Sequence, residues 1–229
     1  MRSVRAFPFT PVSCVKTIKI DLDSPADPSI IQDAVRVLER GGLVCLPCGG
    51  TYRILADLAE PRAVMSLMQS KRRTRTAPSL VFIDSEKRLR EVADVVDPAL
   101  LKIARVFWPG PVTILVEPHP DMAPKVRKQL TSAVGRVGVR VPADPLAAEV
   151  VRGFGRALLV SSANREARQG AESPAQVRKN FVGRVDLMLD AGDLKPGRKS
   201  SVIDFQDGAV KVTREGAVTE ADILTALGL

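Results

Sequence analysis

The sequence predicts one mixed α/β domain, and three observations support this interpretation. The chain has 229 residues, a length that fits one large α/β domain better than two small ones. Short apolar runs of strand length alternate with segments whose apolar residues recur at helical spacing, as expected when helices flank a sheet. No internal repeat, linker or break in composition divides the chain.

The composition is typical of a globular protein with anionic partners. Apolar residues make up 45% of the chain and charged residues 26%, and 34 basic against 26 acidic residues give a net charge of +8. This excess favours nucleotides, RNA or acidic metabolites as ligands. No apolar run approaches the roughly 20 residues of a membrane span. Residues 1–16 contain prolines and no signal-peptide core, so we expect an N-terminal extension, a domain at 17–229 and a cytoplasmic protein.

Local signals place the elements of the first half of the chain. Asp27 before Pro28 is a helix cap, and Gly41-Gly42 ends that helix. The predicted elements are a strand at 16–22, a helix at 28–40, a buried strand at 43–47, a glycine-containing loop, an amphipathic helix around 63–68 and a strand at 80–83.

The second half is predicted in the same way. Trp108-Pro109-Gly110-Pro111 ends a helix that starts at Pro98, because prolines cannot continue it. The other predicted elements are strands at 112–116, 137–141, 157–160 and 185–189, helices at 122–130, 145–154, 173 onward and 219–227, and a hairpin at 201–213 that turns at Asp207-Gly208. The basic loop at 193–200 is expected to be mobile.

A dense group of basic residues follows the second predicted helix. Lys71, Arg72, Arg73 and Arg75 lie between the buried strands at 43–47 and 80–83. Guanidinium groups match phosphate and carboxylate in geometry, so a cluster at the mouth of a sheet would bind such anions. A solvated charge run after a helix explains the same residues equally well.

Other polar residues lie at or near strand ends. Ser162 and Asn164 follow the strand at 157–160, where open α/β sheets bind ligands, although both types are also common in turns. Arg140 lies among valines and is costly to bury unpaired, so it either extends to solvent or faces a ligand. Thr113 lies near the edge of another strand.

Several classes of site are excluded. The one histidine, His119, lies between two prolines, so no Ser-His-Asp set exists, and neither phosphate-binding glycine motif is present. Cys45 and Cys48 form a single C-x-x-C, which supplies too few ligands for zinc. We therefore predict packing cysteines and no metal site. A phosphate-handling site would act through positioning and charge neutralisation.

A set of motifs then identifies a family. They are Gly41-Gly42, Pro47 with Tyr52, Lys71-x-Arg73, the 107–113 segment, Val139-Arg140-Val141-Pro142, Ser162-x-Asn164, Ser200-Ser201-Val202-Ile203-Asp204 and Arg214-x-Gly216. In this order and spacing they resemble the YrdC-like threonylcarbamoyl-AMP synthases from about residue 27 to 217. We expect the short form, without the extra C-terminal domain of longer members.

The resemblance implies a YrdC-like twisted mixed sheet with flanking helices and a large basic cavity. It implies a nucleotidyltransferase that converts L-threonine, bicarbonate and ATP, with Mg2+, into threonylcarbamoyl-AMP and pyrophosphate. The product would serve N6-threonylcarbamoyladenosine formation at position 37 of tRNA, together with a transfer machinery. In the implied reaction, threonine takes up bicarbonate as a carbamate, which attacks the α-phosphorus of ATP.

The resemblance also implies roles for individual residues. Lys71 and Arg73 would neutralise the phosphates and the carbamate. The residues implied to hold the nucleotide are Thr113, Ser162, Asn164 and Arg214. Those implied to hold threonine or another anion are Thr51, Tyr52, Arg140, Ser200 and Ser201.

The chain departs from the family pattern after the first core strand. Where the family reads roughly P-T-D-T-V-Y-G-L, residues 47–54 read P-C-G-G-T-Y-R-I, and Arg53 replaces a glycine. The nucleotide half of the pattern is better preserved than the threonine half. Two alternatives therefore stay open: a carbamoyl-adenylate made on another amine, and a paralogue that binds tRNA or double-stranded RNA without synthesis.

Overall fold

The computed structural model describes residues 15–70, 78–131, 135–163, 171–181 and 183–228. The strands in this part of the chain are β1 (Lys16–Lys19), β2 (Val44–Cys48), β3 (Thr51–Asp57), β4 (Ser79–Phe82), β5 (Val112–Val116), β6 (Val137–Arg140), β7 (Leu158–Ser162), β8 (Leu187–Asp190), β9 (Ser201–Gln206) and β10 (Ala209–Arg214). The helices are α1 (Pro28–Glu39), α2 (Pro61–Ser70), α3 (Pro98–Phe107), α4 (Pro124–Thr131), α5 (Pro145–Phe154), α6 (Pro174–Phe181) and α7 (Glu220–Leu227), with a 3-10 helix at Glu86–Glu91.

The same local device starts three of the helices. An aspartate caps α1, α3 and α5, and a proline follows it at the first helical position. Each aspartate accepts a hydrogen bond from a backbone N–H of the first turn, a group that has no partner inside the helix. These three helices therefore begin where the sequence predicts, and α5 matches its predicted bounds.

The strands form one mixed sheet in the order β1-β8-β2-β3-β7-β4-β6-β5-β9-β10. Pairs β4–β6 and β5–β9 are parallel, whereas β3–β7 and β7–β4 are antiparallel. This confirms the predicted mixed α/β fold with a twisted sheet and flanking helices. No helix among the described residues is both long and apolar enough to span a membrane.

Helices cover the two faces of the sheet unequally. On one face, α1 and α5 pack on β8, β2, β3, β7 and β4 through Leu38, Val150, Leu55 and Phe82. The larger core on the other face includes residues of α2, α3, α4, α6 and α7. Within the described residues, the α1/α5 core includes none from β5, β6, β9 or β10. The sheet surface beside α5 is therefore available for a site.

One prediction about the first half was wrong. Residues after Pro47 were expected to form a loop that led to a helix, but β2 and β3 pair as a tight antiparallel hairpin. Gly49 and Gly50 form its turn with φ of 62° and 75°, the left-handed backbone that two-residue hairpin turns require. Strand β3 lacks a polar–apolar alternation because both of its faces are largely buried.

Smaller differences concern boundaries. The strand predicted at 185–189 lies at Leu187–Asp190, because Asp186 turns its carboxylate to the backbone N–H of Leu43. The strand predicted at 16–22 ends at Lys19, and the 3-10 helix was not predicted. The hairpin of β9 and β10 turns at Asp207 and Gly208, as predicted.

Candidate anion-binding site

Three arginines from three strands approach one another on the α1/α5 side of the sheet. We call Arg53 of β3, Arg140 of β6 and Arg214 of β10 the arginine cluster. They are near enough for each pair to interact electrostatically, so the charge of each disfavours that of another. Arg53 and Arg140 are largely buried, whereas the Arg214 residue, at the end of β10, is exposed. Within the described residues no ion pair compensates these arginines, which favours binding of an external anion.

The described residues contain few buried side-chain nitrogen or oxygen atoms without a hydrogen-bond partner. Those atoms are Thr51 Oγ1, Arg53 Nε and Arg140 Nε. Thr51 and Arg53 lie on the same face of β3 as the core residue Leu55, because every second residue of a strand points to one face. Their unpartnered atoms therefore lie on the same side of the sheet as the arginine cluster, to which Arg140 belongs. Buried polar atoms are normally satisfied, so their concentration at one place indicates a ligand site.

Electrostatics at the cluster follow from burial. Burial lowers the pKa of Arg53, and the nearby Cys48 opposes this shift only partly. For Arg140, burial is again the largest cause of a lowered pKa, and the charges of Arg53 and Arg214 lower it further. Arginine nevertheless remains protonated in proteins, so the cluster stays cationic and its uncompensated charge is available to a ligand.

Arg140 packs on an aromatic ring rather than on an acid. Its guanidinium carbon lies 4.9 Å from the centre of the Phe82 ring, on the paired strand β4. The contact orients the guanidinium plane but does not neutralise its charge. The sequence left two alternatives for Arg140, extension into solvent or contact with a ligand. The side chain is mostly buried and directed to the cluster, which favours contact with a ligand.

Arg214 is held by neutral oxygens. Its Nε and Nη2 donate to the carbonyl of Ser200 at 3.1 and 2.8 Å, and Nη2 also donates to Ser200 Oγ at 3.1 Å. Ser200 Oγ lies 3.3 Å from Thr113 Oγ1. The pairing of β5 with β9 and of β9 with β10 brings these residues together. Thr113, Ser200 and Arg214 therefore form a group of polar side chains beside Arg140.

The carboxylate that influences the cluster is Asp144, at the start of α5. Burial raises its pKa, and the hydrogen bond from Ala147 N is the largest effect in the opposite direction. One oxygen caps α5 and the other accepts from Gly49 N at 3.4 Å. Because both oxygens already serve the backbone, Asp144 compensates Arg140 only in part.

The basic loop at 193–200 packs on the β2–β3 turn. A Cβ atom on Gly50 would lie 2.2 Å from Gly197 N and 2.5 Å from the carbonyl oxygen of Lys195. A Cβ on Gly197 would lie 2.8 Å from the carbonyl oxygen of Gly49. The two backbones are therefore in direct contact, and only glycine fits at these positions.

Two predicted anion-binding residues face the opposite core. Tyr52 is fully buried, and its hydroxyl donates to the carbonyl of Gly192 and accepts from Ala191 N. Ser201 Oγ donates to the carbonyl of Val218 and accepts from Gly216 N. Both hydroxyls hold backbone segments together. Direct contact of these two residues with an anion stays a prediction that their placement does not support.

The remaining predicted site residues form two groups within the described residues, and three others lie outside them. Ser162 lies directly opposite Arg53 in the β3–β7 pairing, and Thr51 lies two residues before Arg53. Thr113, Ser200 and Arg214 lie together, as described above. Lys71, Arg73 and Asn164 lie outside the described residues, so their predicted roles are not tested.

Sequence reasoning did not include Arg53, Cys48, Asp144 or Phe82 among the site residues. The signal for Arg53 was the same as for Arg140, a single arginine in a segment of apolar residues. It was missed because residues 49–54 were interpreted as a loop, so no strand face could be assigned to it.

The donor set of the described residues does not fit a protein-held metal. Among the residues that the structure describes, no group of three His, Cys, Asp or Glu side chains could hold a metal ion. Burial raises the pKa of the Cys48 thiol to about 11, so it is protonated at neutral pH.

Comparisons with known proteins agree on one family. Residues 36–216 match the family model Sua5/yciO/yrdC, whose description is Telomere recombination. The chain is 27% identical to the threonylcarbamoyl-AMP synthase of Pyrococcus abyssi, over 93% of this chain and 61% of that protein. It is 31% identical to the threonylcarbamoyl-AMP synthase of Alkalilimnicola ehrlichii, over 79% of this chain and 93% of that protein. The crystal structure of P. abyssi Sua5 complexed with L-threonine has a TM-score of 0.79 at 24% identity, covering 94% of this chain and 61% of that one.

Proposed function

We propose that this chain, which belongs to the Sua5/yciO/yrdC family, is a transferase that makes threonylcarbamoyl-AMP from L-threonine, bicarbonate and ATP. Relatives that bear this name and a solved relative complexed with L-threonine support the proposal. The chain spans only 61% of the Pyrococcus relative, but 93% of the Alkalilimnicola one. The reaction would be a nucleotidyl transfer that supplies tRNA modification.

The observation that carries the proposal is the set of unpartnered buried atoms at the arginine cluster. Arg53 Nε and Arg140 Nε point to a ligand rich in anionic oxygen, and Thr51 Oγ1 adds a hydroxyl beside them. ATP, a carbamate and an amino-acid carboxylate together supply such oxygens at several positions. A cluster of three cations from separate strands suits this arrangement.

In the proposed reaction, the amine nitrogen of threonine bonds to the carbon of bicarbonate, and water leaves to give a carbamate. A carbamate oxygen then attacks the α-phosphorus of ATP, and the bond to the β-phosphate oxygen breaks to release pyrophosphate. Reactants and products are both strongly anionic, so the need is to bring negative groups together. Arg140 and Arg214 would lower this repulsion, and the burial of Arg140 strengthens its effect by excluding water.

The arginines would bind and orient, and none would act as a base, because arginine is not deprotonated in proteins. Thr113 and Ser200 would hydrogen-bond phosphate or ribose oxygens next to Arg214. Lys71, Arg73, Ser162 and Asn164 are proposed as further contacts on the strength of the motifs alone. Magnesium enters only as part of the MgATP substrate.

Binding of tRNA or double-stranded RNA is a weaker proposal. Cations that contact a nucleic-acid backbone are usually exposed, and their binding depends steeply on salt. Arg53 is instead largely buried, which favours a small ligand. The cluster therefore supports synthesis of an adenylate over recognition of a duplex.

Pyrophosphate release tests the proposal. The full chain is mixed with MgATP, bicarbonate and L-threonine, and each component is omitted in turn. We expect release that requires all three. Arg140→Met should slow it by about 100-fold, since loss of one charged group at a reacting anion has effects of this size.

The matched control is Arg62→Met. Arg62 is exposed on α2, on the other side of the sheet, and should keep the wild-type rate. Release that is equally fast without any amine, or an equal loss in both variants, would contradict the proposal.

A further inference from the structure

An aromatic ring, that of Phe82, lies at the arginine cluster. Phe82 is in β4, and the parallel pairing of β4 with β6 places it beside Arg140. The guanidinium carbon of Arg140 lies 4.9 Å from the centre of the ring, within the range of a cation–π contact. Because the face of an aromatic ring carries partial negative charge, it attracts the guanidinium without a carboxylate.

The ring has a fixed position. Phe82 is fully buried and belongs to the α1/α5 core together with Leu146, Val150 and Leu158. Strand β4 is paired on both edges, with β7 and with β6, which holds its backbone in place. Close packing of a core leaves a buried ring few alternative orientations. Phe82 therefore offers the arginine side chain a rigid surface.

The polar surroundings of Arg140 do not fix its guanidinium. Within the described residues its side chain has no hydrogen bond or ion pair, and its Nε is buried without a partner. The charges of Arg53 and Arg214 repel it. Asp144 attracts it, but both carboxylate oxygens of Asp144 accept hydrogen bonds from backbone N–H groups. The contact with the ring is therefore the one that sets the orientation of this guanidinium.

A second arginine in the chain shows the difference. Arg156 lies 4.6 Å from the ring centre of Phe154 and also pairs with the carboxylate of Asp57 at 2.8 Å. Among the described residues, Arg140 has the ring alone. Loss of the ring should therefore release Arg140, whereas Arg156 would keep its ion pair after the same loss.

We propose that Phe82 is a positioning residue of the anion site, and that its ring holds the Arg140 guanidinium in the orientation in which it meets the ligand. This inference rests on the proposed function, in which Arg140 lowers the repulsion between anionic reactants. A guanidinium whose N–H groups are already oriented loses less side-chain freedom when an anionic oxygen binds. The ring supplies this orientation without neutralising the charge, whereas an acidic partner would compete with the ligand.

Kinetics of pyrophosphate release test the proposal in four proteins: the wild type, Phe82→Leu, Arg140→Met and the double variant. Leucine keeps an apolar side chain in the core but has no aromatic face. We expect Phe82→Leu alone to lower kcat/KM about tenfold, which corresponds to about 1.4 kcal/mol and is the size of a desolvated cation–π contact. In the Arg140→Met background the same substitution should have no further effect, because the guanidinium through which it acts is absent.

A second replacement separates the charge of the ring from its shape. Pentafluorophenylalanine at position 82 keeps the ring and reverses the charge on its face, so it should lower kcat/KM at least as much as leucine does. The matched control is Phe154→Leu, which removes a ring from Arg156 but leaves the ion pair of that arginine. It should keep the wild-type rate per folded protein, with the folded fraction measured by calorimetry at the assay temperature.

The outcomes separate this inference from the proposed function. Three results overturn the inference and leave the synthase function standing: an equal loss from Phe82→Leu with and without Arg140, an equal loss in Phe154→Leu, or a wild-type rate with the fluorinated ring. If the wild type releases no pyrophosphate that depends on the amine, the proposed function is overturned, and titration calorimetry with MgATP tests the inference alone. Weaker binding in Phe82→Leu than in the wild type, with no difference between the double variant and Arg140→Met, then supports the inference. Any other pattern of MgATP binding overturns it.

Discussion

Replacing Gly50 by alanine tests the contact between the 193–200 loop and the β2–β3 turn. A Cβ at this position would meet three backbone atoms, Gly197 N at 2.2 Å, Lys195 O at 2.5 Å and Pro196 C at 2.9 Å. The neighbouring Gly49 has the same left-handed backbone, but a Cβ there meets nothing within 4 Å. Gly49→Ala is therefore a matched control that shares the conformational cost and lacks the collision.

The expected difference follows from these contacts. A left-handed backbone costs an alanine about 1–2 kcal/mol, and this cost is common to both variants. Moving packed backbone aside adds about 1–3 kcal/mol to Gly50→Ala alone. Because each kcal/mol lowers the Tm of a chain of this size by about 2–4 °C, Gly50→Ala should melt about 2–12 °C below Gly49→Ala.

The protein can respond to the collision by keeping a strained contact or by displacing the loop, and one measurement detects each response. Calorimetry detects a strained but intact contact as a lower Tm. Limited trypsin digestion detects a displaced loop as faster cleavage at Arg198 or Lys199 than in Gly49→Ala. If the two variants agree in both measurements, the loop does not rest on the turn and the reasoning fails.

Two further predictions concern charges at the site. Arg140→Met should raise the free energy of unfolding of the ligand-free protein by about 1 kcal/mol. It removes a buried unpartnered nitrogen that costs about 1–3 kcal/mol and loses a cation–π contact worth about 0.5–2 kcal/mol; urea unfolding that shows a decrease would contradict this. Burial raises the pKa of Asp144 above its usual value, so the folded state binds this proton more tightly than the unfolded state does. The free energy of unfolding therefore falls as the pH rises from the unfolded pKa to the folded pKa. Asp144→Asn keeps an N-cap acceptor, so its stability relative to wild type should increase across that interval, and a difference independent of pH would refute the assignment.

Local signals explain why most of the fold was predictable. The Asp–Pro pairs at 27–28, 97–98 and 144–145 specify helix starts through contacts within a few residues. The Asp207-Gly208 turn likewise specifies a hairpin through its own backbone. These features depend only on contacts between residues close together in the sequence, so the predicted helix starts and the predicted turn agree with the structure.

Features that depend on distant contacts were less predictable. Strand β3 is buried by β2 and β7 on its edges and by both cores on its faces, so its sequence shows no alternation. Thr113 and Ser200 are 87 residues apart along the chain, and their approach depends on the pairing of β5 with β9. Arg214 joins them through the local hairpin of β9 and β10. The motifs pointed to Ser200 and Arg214 as site residues, but only the sheet order explains why they meet.

The treatment of buried charge elsewhere in the chain shows why the arginine cluster indicates a ligand. The buried carboxylate of Asp57 is paired with Arg156 at 2.8 Å, and that of Asp204 with Arg136 at 2.9 Å. At those places the fold supplies the opposite charge itself, since an unpaired buried charge is strongly destabilising. Arg53 and Arg140 have no such ion pair among the residues that the structure describes, and evolution tolerates that cost where activity depends on it. A ligand that compensates them should therefore stabilise the folded protein in proportion to the logarithm of its concentration above Kd.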